Sequence, residues 1–149
     1  MIVVNTTYQA ALWADCLFAM DRVWWDKYRA DVIARFEGER ISSNNIAGVS
    51  KVDVKPHGNS GAGAIAAALF YGAKRVILLG YDCQRTNGQA HWHGDHPAGL
   101  GNAGRIEKWP QSFLELSKNI TASIEVINCS RETALNMWPK QDLEIALNG

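Results

Sequence analysis

The chain carries no excess charge: 15 Lys and Arg offset 15 Asp and Glu, and the basic residues are scattered. Neither a basic face for nucleic acid nor a cationic patch for a membrane is expected. Cysteine is scarce. Cys16, Cys83 and Cys129 are odd in number, widely spaced and in no Cys-x-x-Cys pair. They read as reduced thiols in a cytoplasmic protein, not as a disulfide framework. Long apolar runs are missing too; the longest, around Ala64 to Tyr71, is too short to span a bilayer. The N-terminus lacks a basic segment followed by a long apolar one, so no signal peptide is expected. There are no repeats, low-complexity tracts or linkers, and 149 residues are enough for one domain, 1–149, with its own core.

What is present centres on the stretch from Gly58 to Asp82. It opens with the turn Asn59-Ser60-Gly61-Ala62-Gly63, where a hydroxyl is expected at the helix N-cap. Ala64, Ala66, Ala67, Ala68 and Leu69 then favour a helix that stops at Gly72. Val76 to Leu79 is a short apolar run of the kind found in strands buried on both faces of a parallel sheet. A glycine turn leading into a helix places backbone N–H groups where they favour an anion. The competing reading is that these small residues only let the helix lie close to the sheet. A third reading is dinucleotide binding, since Gly61-x-Gly63-x-x-Ala66 is followed by Asp82 at the spacing of a ribose-binding acid. Against it, the preceding Lys51-Val-Asp-Val-Lys-Pro56-His57 segment makes a poor central strand.

Elsewhere strands alternate with helices. Ile2 to Val4 is a strand ending at Asn5, Tyr8 to Trp13 a short helix, and Asp15 to Met20 a second strand ending at Asp21. Val23, Trp24, Trp25, Tyr28, Val32 and Phe36 have helical spacing, and Gly38 ends that helix. Arg40 to Ser43 reads as a short edge strand. Tyr81 to Gly104 reads as a long functional loop, Ile106 to Leu116 as a helix with Pro110 near its start, and Ser123 to Asn128 as a strand. A turn at Arg131 to Ala134 and a short helix from Asp142 complete the chain. This order predicts an α/β fold: a doubly wound, Rossmann-like, mainly parallel sheet with helices on both faces. Ligands of such folds bind beyond the carboxyl ends of the strands. Asn5, Asp21, the Asn59–Gly63 turn and Asp82 are expected on that rim.

His91-x-His93-x-Asp95-His96 is the densest local constellation. Read literally it matches the metal-binding signature of metallo-β-lactamase-like hydrolases. Those sites need further histidines downstream, and none follows His96. A closed zinc site would have to recruit carboxylates such as Asp82 or Asp142. No metal and no cofactor are expected. One histidine as a general base or ligand contact is the alternative to a solvated loop, because imidazole titrates near neutrality.

Several pieces together resemble the bacterial sialyltransferases of the Campylobacter type and the related family that includes archaeal pterin diphosphokinases. They are the strand ending in Asn5, the Ser60-Gly61 turn before an alanine-rich helix, and Gly72-x-Lys74-x-Val76-x-Leu78-x-Gly80-Tyr81-Asp82. The histidine loop and the tail from Asn128-Cys129-Ser130 through Trp138-Pro139-Lys140 to Asp142-Leu143 complete them. Trp13-Ala14-Asp15, Asp21-x-x-Trp24-Trp25 and His93-Gly94-Asp95-His96-Pro97 look most like short phage-borne members. The resemblance implies that Asn5 and the Asn59-Ser60-Gly61 turn hold a nucleotide, and that His96 is the general base of a metal-free transferase. Relatives begin with an additional strand and a Gly-x-Ser-Leu-type turn that cradles phosphate, and the sequence here starts after that point.

The reading is therefore a protein that binds a nucleotide or nucleotide-derived small molecule through Asn5, Asn59, Ser60, Gly61, Gly63, Asp82, His91 and His93, and sequesters it in the cytoplasm, that of a host cell if phage-encoded. The alternatives are a sialyltransferase-like group-transfer enzyme using His96 and, behind it, a metal-dependent hydrolase using the histidine cluster. Self-association into a homo-oligomer is also expected. Six tryptophans are many for a small domain, and Trp24 and Trp25, adjacent on a helix, are not expected both to face inward.

Overall fold

β-Branched Ile2, Val3 and Val4 form the first strand, β1 (Ile2–Val4). In this computed structural model, residues 1–85 and 106–149 are described. The chain divides into two units, Met1–Gly72 and Ala73–Gly149, each of α/β type with parallel strands. The α/β class follows the expected alternation of elements.

In the first unit, β1, β2 (Cys16–Phe18), β3 (Glu39–Ser42) and β4 (Ser50–Lys51) pair in parallel in that order. Arg40 to Ser43 was expected at an edge, but β3 pairs with β2 on one side and β4 on the other. Polar, exposed Ser50 and Lys51 take the edge instead, where unpaired backbone groups can meet water. Helix α1 (Arg22–Arg35) follows β2, and helix α2 (Ser60–Phe70) follows β4 and packs on β1 and β2. Cys16, Phe18, Ile41, Val52, Ala64 and Ala67 form one apolar cluster, with Ile2 and Val4 packed against it. Strand side chains alternate between faces. Val3 and Leu17 therefore point to the other face, where both are buried.

The tryptophan pair departs from expectation. Trp24 and Trp25 are both buried, their rings edge-to-face at 5.1 Å. Successive side chains on a helix diverge by only about 100°, and a 3₁₀ helix, Asn5–Ala10, lies beside the first turn of α1. Its Tyr8 ring meets Trp24 edge-on at 5.9 Å, and Trp24 Nε1 donates to Thr6 Oγ1 at 3.2 Å. Trp25 Nε1 donates to the Ala19 carbonyl at 2.9 Å. Both rings thus have apolar neighbours and satisfied N–H groups inside one chain, and the pair gives no support to self-association. Among the described residues, the exposed tryptophan is Trp13, at 77%.

In the second unit, β5 (Arg75–Leu78) pairs in parallel with β6 (Glu125–Asn128). Register partners Arg75 and Glu125 form an ion pair across the ladder at 2.7 Å. Val76 to Leu79 was expected to be buried on both faces. Only Leu78 is buried; Val76 and Ile77 are half-buried and Leu79 is 53% exposed. The physical reason is that β5 has one hydrogen-bonded neighbour among the described residues. A 3₁₀ turn, Ile106–Lys108, leads into helix α3 (Trp109–Ser117), whose first turn accommodates Pro110. The chain closes with helix α4 (Leu143–Asn148), capped by Asp142 Oδ1 accepting from the Glu144 N–H at 2.8 Å.

Gly63 governs how closely α2 lies on the sheet. A Cβ there would stand 2.6 Å from two ring atoms of Phe18, which is itself fully buried. Gly63→Val is expected to destabilise the protein by about 3 kcal/mol, the upper end for overpacking a core. Urea denaturation checks this, and an unchanged midpoint would mean that helix and ring can move apart.

Candidate functional site

Parallel strands present their carboxyl ends on one edge, and in the first unit that edge carries a run of polar residues. Asn5 follows β1, Asp21 follows shortly after β2, and Ser43 and Asn44 follow β3. Asn5 adopts a left-handed backbone, φ 49°, and its Oδ1 is buried without a hydrogen-bond partner. Ser43 Oγ is likewise buried and unpartnered. Asp21 sits at the N-cap of α1 without capping it by its side chain, and burial pushes its carboxyl above the usual range. Asn44 Nδ2 donates to the Met20 carbonyl at 2.8 Å.

The glycine turn has a different cap from the one expected. Asn59, not Ser60, is the N-cap of α2: its Oδ1 accepts from the Gly61 N–H at 2.8 Å and the Ala62 N–H at 3.2 Å. Ser60 is the first helical residue and is buried. Asparagine caps as well as serine does, and Asn59 already has the extended backbone a cap requires, φ −145° and ψ 127°. The amides of Gly61 and Ala62, which an anion would use, are thus engaged by the protein's own carboxamide. Gly63 looks towards the Phe18 ring and Pro56, which fits the close-packing reading for that glycine. Just before the turn, His57 is left-handed, φ 52°.

Asp82 belongs to the second unit, where the carboxyl ends of β5 and β6 open into a pocket of about 960 Å³. Gly80, Asp82, Arg131, Glu132, Lys140 and Asp142 are among its lining residues. The backbone around Asp82 is held by polar side chains. The Tyr81 N–H donates to Ser130 Oγ at 2.7 Å, and Thr133 Oγ1 donates to the Tyr81 carbonyl at 2.7 Å. Burial, and secondarily the Glu132 carboxylate, raise the Asp82 carboxyl above its ordinary range. Cys83 is left-handed, φ 50°, and burial followed by the Asp82 charge pushes its thiol up to about 12. That thiol is held neutral and is a poor nucleophile. Lys140 Nζ donates to the Arg131 carbonyl, which tethers one of the two cations among the described lining residues.

The structure therefore gathers Asn59, Ser60 and Gly61 on one turn, with Gly63 one turn further along the helix and Asn5 at the end of β1. Asp82 belongs to the second unit. Ser130, Arg131, Glu132, Thr133 and Lys140 were not singled out as site residues. For all but Lys140, the signal in the sequence was the switch from apolar Val126-Ile127 to the run Asn128 to Thr133, at the carboxyl end of a strand. His91, His93 and His96 lie outside the described residues. Among the described residues, no group of three or more His, Cys, Asp or Glu is placed to hold a metal ion, and no helix is long and apolar enough to cross a membrane. Comparison with protein-family models, curated proteins and solved structures gives no match.

Asp82 generates a pH-dependent expectation. Its folded pKa stands above the unfolded one, so the folded state holds the proton more tightly. Stability therefore falls as pH rises from the unfolded value through the folded one. Asp82→Asn abolishes the cost of that buried charge. It should raise the Tm at pH 7 and leave it unchanged below about pH 3, where aspartate is protonated in both states. A lowered Tm at neutral pH would show instead that a partner stabilises the carboxylate.

Proposed function

We propose that the protein binds a nucleotide or nucleotide-derived small molecule and holds it without turnover. The observation that carries this reading is the pocket at the carboxyl ends of β5 and β6, where Asp82 is kept half-buried at a cost to its charge. Carboxyl ends of parallel strands are where α/β folds receive such ligands, and stored cost is typical of functional positions. Asp82 can accept from ribose hydroxyls, while Arg131 and Lys140 supply cations for phosphate. The pocket, at about 960 Å³, is near the upper end for small-molecule sites. Asn5, His57 and Cys83, all left-handed without being glycine, add further strain beside the sequence-predicted positions. The resemblance to nucleotide-using transferases supports the ligand class, and with it a cytoplasmic setting, that of a host cell if the protein is phage-encoded.

Should the phosphate lie instead at the α2 turn, retention without chemistry is supported by that turn's own occupied amides. A transferase would need donors aimed at the departing phosphate, and the Gly61 and Ala62 amides already bond to Asn59. The second reading, a sialyltransferase-like enzyme, rests on the histidine-rich sequence before α3 and on His96 as its general base.

A thermal-shift panel of nucleotides and nucleotide sugars tests the ligand class. A true ligand at 100 times its Kd should stabilise the protein by about 2.7 kcal/mol. Loss of that ligand-induced shift in Asp82→Asn would assign the site to the β5–β6 pocket. Its loss in Gly61→Val would assign the site to the α2 turn. No shift with any member of the panel would count against the reading.

His96→Ala separates binding from catalysis. If the imidazole hydrogen-bonds a charged ligand group, its removal should weaken affinity by about 1–3 kcal/mol, and that is the expected result. Unchanged affinity with turnover lowered about 10²–10⁴-fold would make the protein a transferase.

A further inference from the structure

β5 ends at Leu78, whose carbonyl accepts from the Cys129 N–H at 2.9 Å, yet the backbone of Tyr81 and Asp82 beyond it is still hydrogen-bonded. The bonds come from the turn after β6. Ser130 Oγ accepts from the Tyr81 N–H, Thr133 Oγ1 donates to the Tyr81 carbonyl, and the Ala134 N–H donates to the Asp82 carbonyl at 2.8 Å. Behind them lies Asn128, fully buried. Its Nδ2 donates to Thr133 Oγ1 and its Oδ1 accepts from the Ser130 N–H, both at 3.0 Å. Thr133 Oγ1 also accepts from the Leu135 N–H at 3.0 Å. A hydroxyl has one proton and two lone pairs. With both lone pairs taken by N–H donors, the Thr133 proton is directed to the Tyr81 carbonyl.

We infer that Ser130 and Thr133 are positioning residues for Asp82: they grip the Tyr81 backbone at its N–H and its carbonyl, and so set where the next side chain stands in the pocket. The inference rests on the reading that Asp82 meets the ligand. Glu132 acts on that carboxyl electrostatically, and Arg131, Lys140 and Asp142 are the other charged groups among the described residues lining the pocket, with the Cys83 thiol next in the chain. Glu132 and Arg131 lie within the gripping turn itself. Loosening the turn therefore changes both the burial of Asp82 and its distance from a like charge.

The test compares Thr133→Val, which is nearly isosteric but lacks the hydroxyl, with Thr133→Ser, which keeps it, and with Ser130→Ala. Asp82 carboxyl titration is followed by NMR in the full chain without ligand, with near-UV circular dichroism confirming the fold. In Thr133→Val the midpoint should move down towards that of an ordinary aspartate, and in Thr133→Ser it should stay at the parent value. In Ser130→Ala the Tyr81 amide should exchange about tenfold faster, as expected when one hydrogen bond is removed, and the Asp82 midpoint should fall. A folded Thr133→Val with an unmoved Asp82 midpoint overturns the inference. If Thr133→Val does not fold, an unmoved midpoint in Ser130→Ala overturns it equally. With a nucleotide from the panel, Thr133→Val should weaken binding about tenfold and Thr133→Ser should not, a step of about 1.4 kcal/mol. The ligand-free titration stands apart from the nucleotide reading: a protein that binds no nucleotide but shows the titration shift refutes the function and keeps the positioning role.

Discussion

The contact of Phe18 with Gly63 is the constraint on which the first unit depends. A ring from the middle strand pair fills the space that any other residue's Cβ would need, and α2 can descend onto β1 and β2 only because that atom is missing. The descent closes the apolar cluster of Phe18, Ile41, Val52, Ala64 and Ala67. It also leads the chain from β4 into a helix start that must satisfy its own amides, and Asn59 does so with one carboxamide oxygen shared by two N–H groups. The same small residues that resemble an anion-binding turn are thus accounted for by packing and capping. Helix starts of this kind acquire a ligand only when the ligand displaces the cap or meets the donors that remain.

The second unit relies on polar rather than apolar closure. β5 and β6 make a short ladder, and past its end the backbone is held by Asn128, Ser130 and Thr133, each bonded to a main-chain group or to one another. Networks of this sort are strong when every member is satisfied and costly when one is removed. That makes them suited to holding a carboxyl such as Asp82 where water would not hold it. The Asp82 pKa is raised by burial and by the Glu132 charge, and Arg131 and Lys140, which line the same pocket, give it both signs of charge. Under the proposed function, a ligand with hydroxyls at one end and phosphate at the other would meet both.

Much of the architecture was legible in the residues. The apolar run Ile2 to Val4, the aromatic helix from Val23 to Phe36, the alanine-rich helix stopping at Gly72 and the strand before Asn128 all lie where periodicity and breakers place them. What was misread involved the neighbours of an element rather than its type. Arg40 to Ser43 is a strand, but an internal one, because a two-residue polar strand too short to read from sequence sits outside it. Trp24 and Trp25 are helical, but both are buried, because a 3₁₀ helix earlier in the chain packs on Trp24 and the Ala19 carbonyl receives the Trp25 N–H. Asp82 was singled out by its spacing, whereas the residues that hold the preceding Tyr81 backbone come about 50 positions later, at Ser130 and Thr133.

The sequence by itself determined the class of the fold, the approximate location of α1 to α4 and the presence of a polar rim at strand ends. These follow from local propensity and from alternation, which neighbouring residues carry between them. Only the tertiary structure decided which strand is an edge, which tryptophan meets water, that Asn59 caps its own helix, and that Asp82 is gripped from the far side of a parallel ladder. Those outcomes depend on contacts between residues remote in sequence. Burial, the partner of a hydrogen bond and the pKa of a carboxyl are properties of such contacts, and no residue carries them alone.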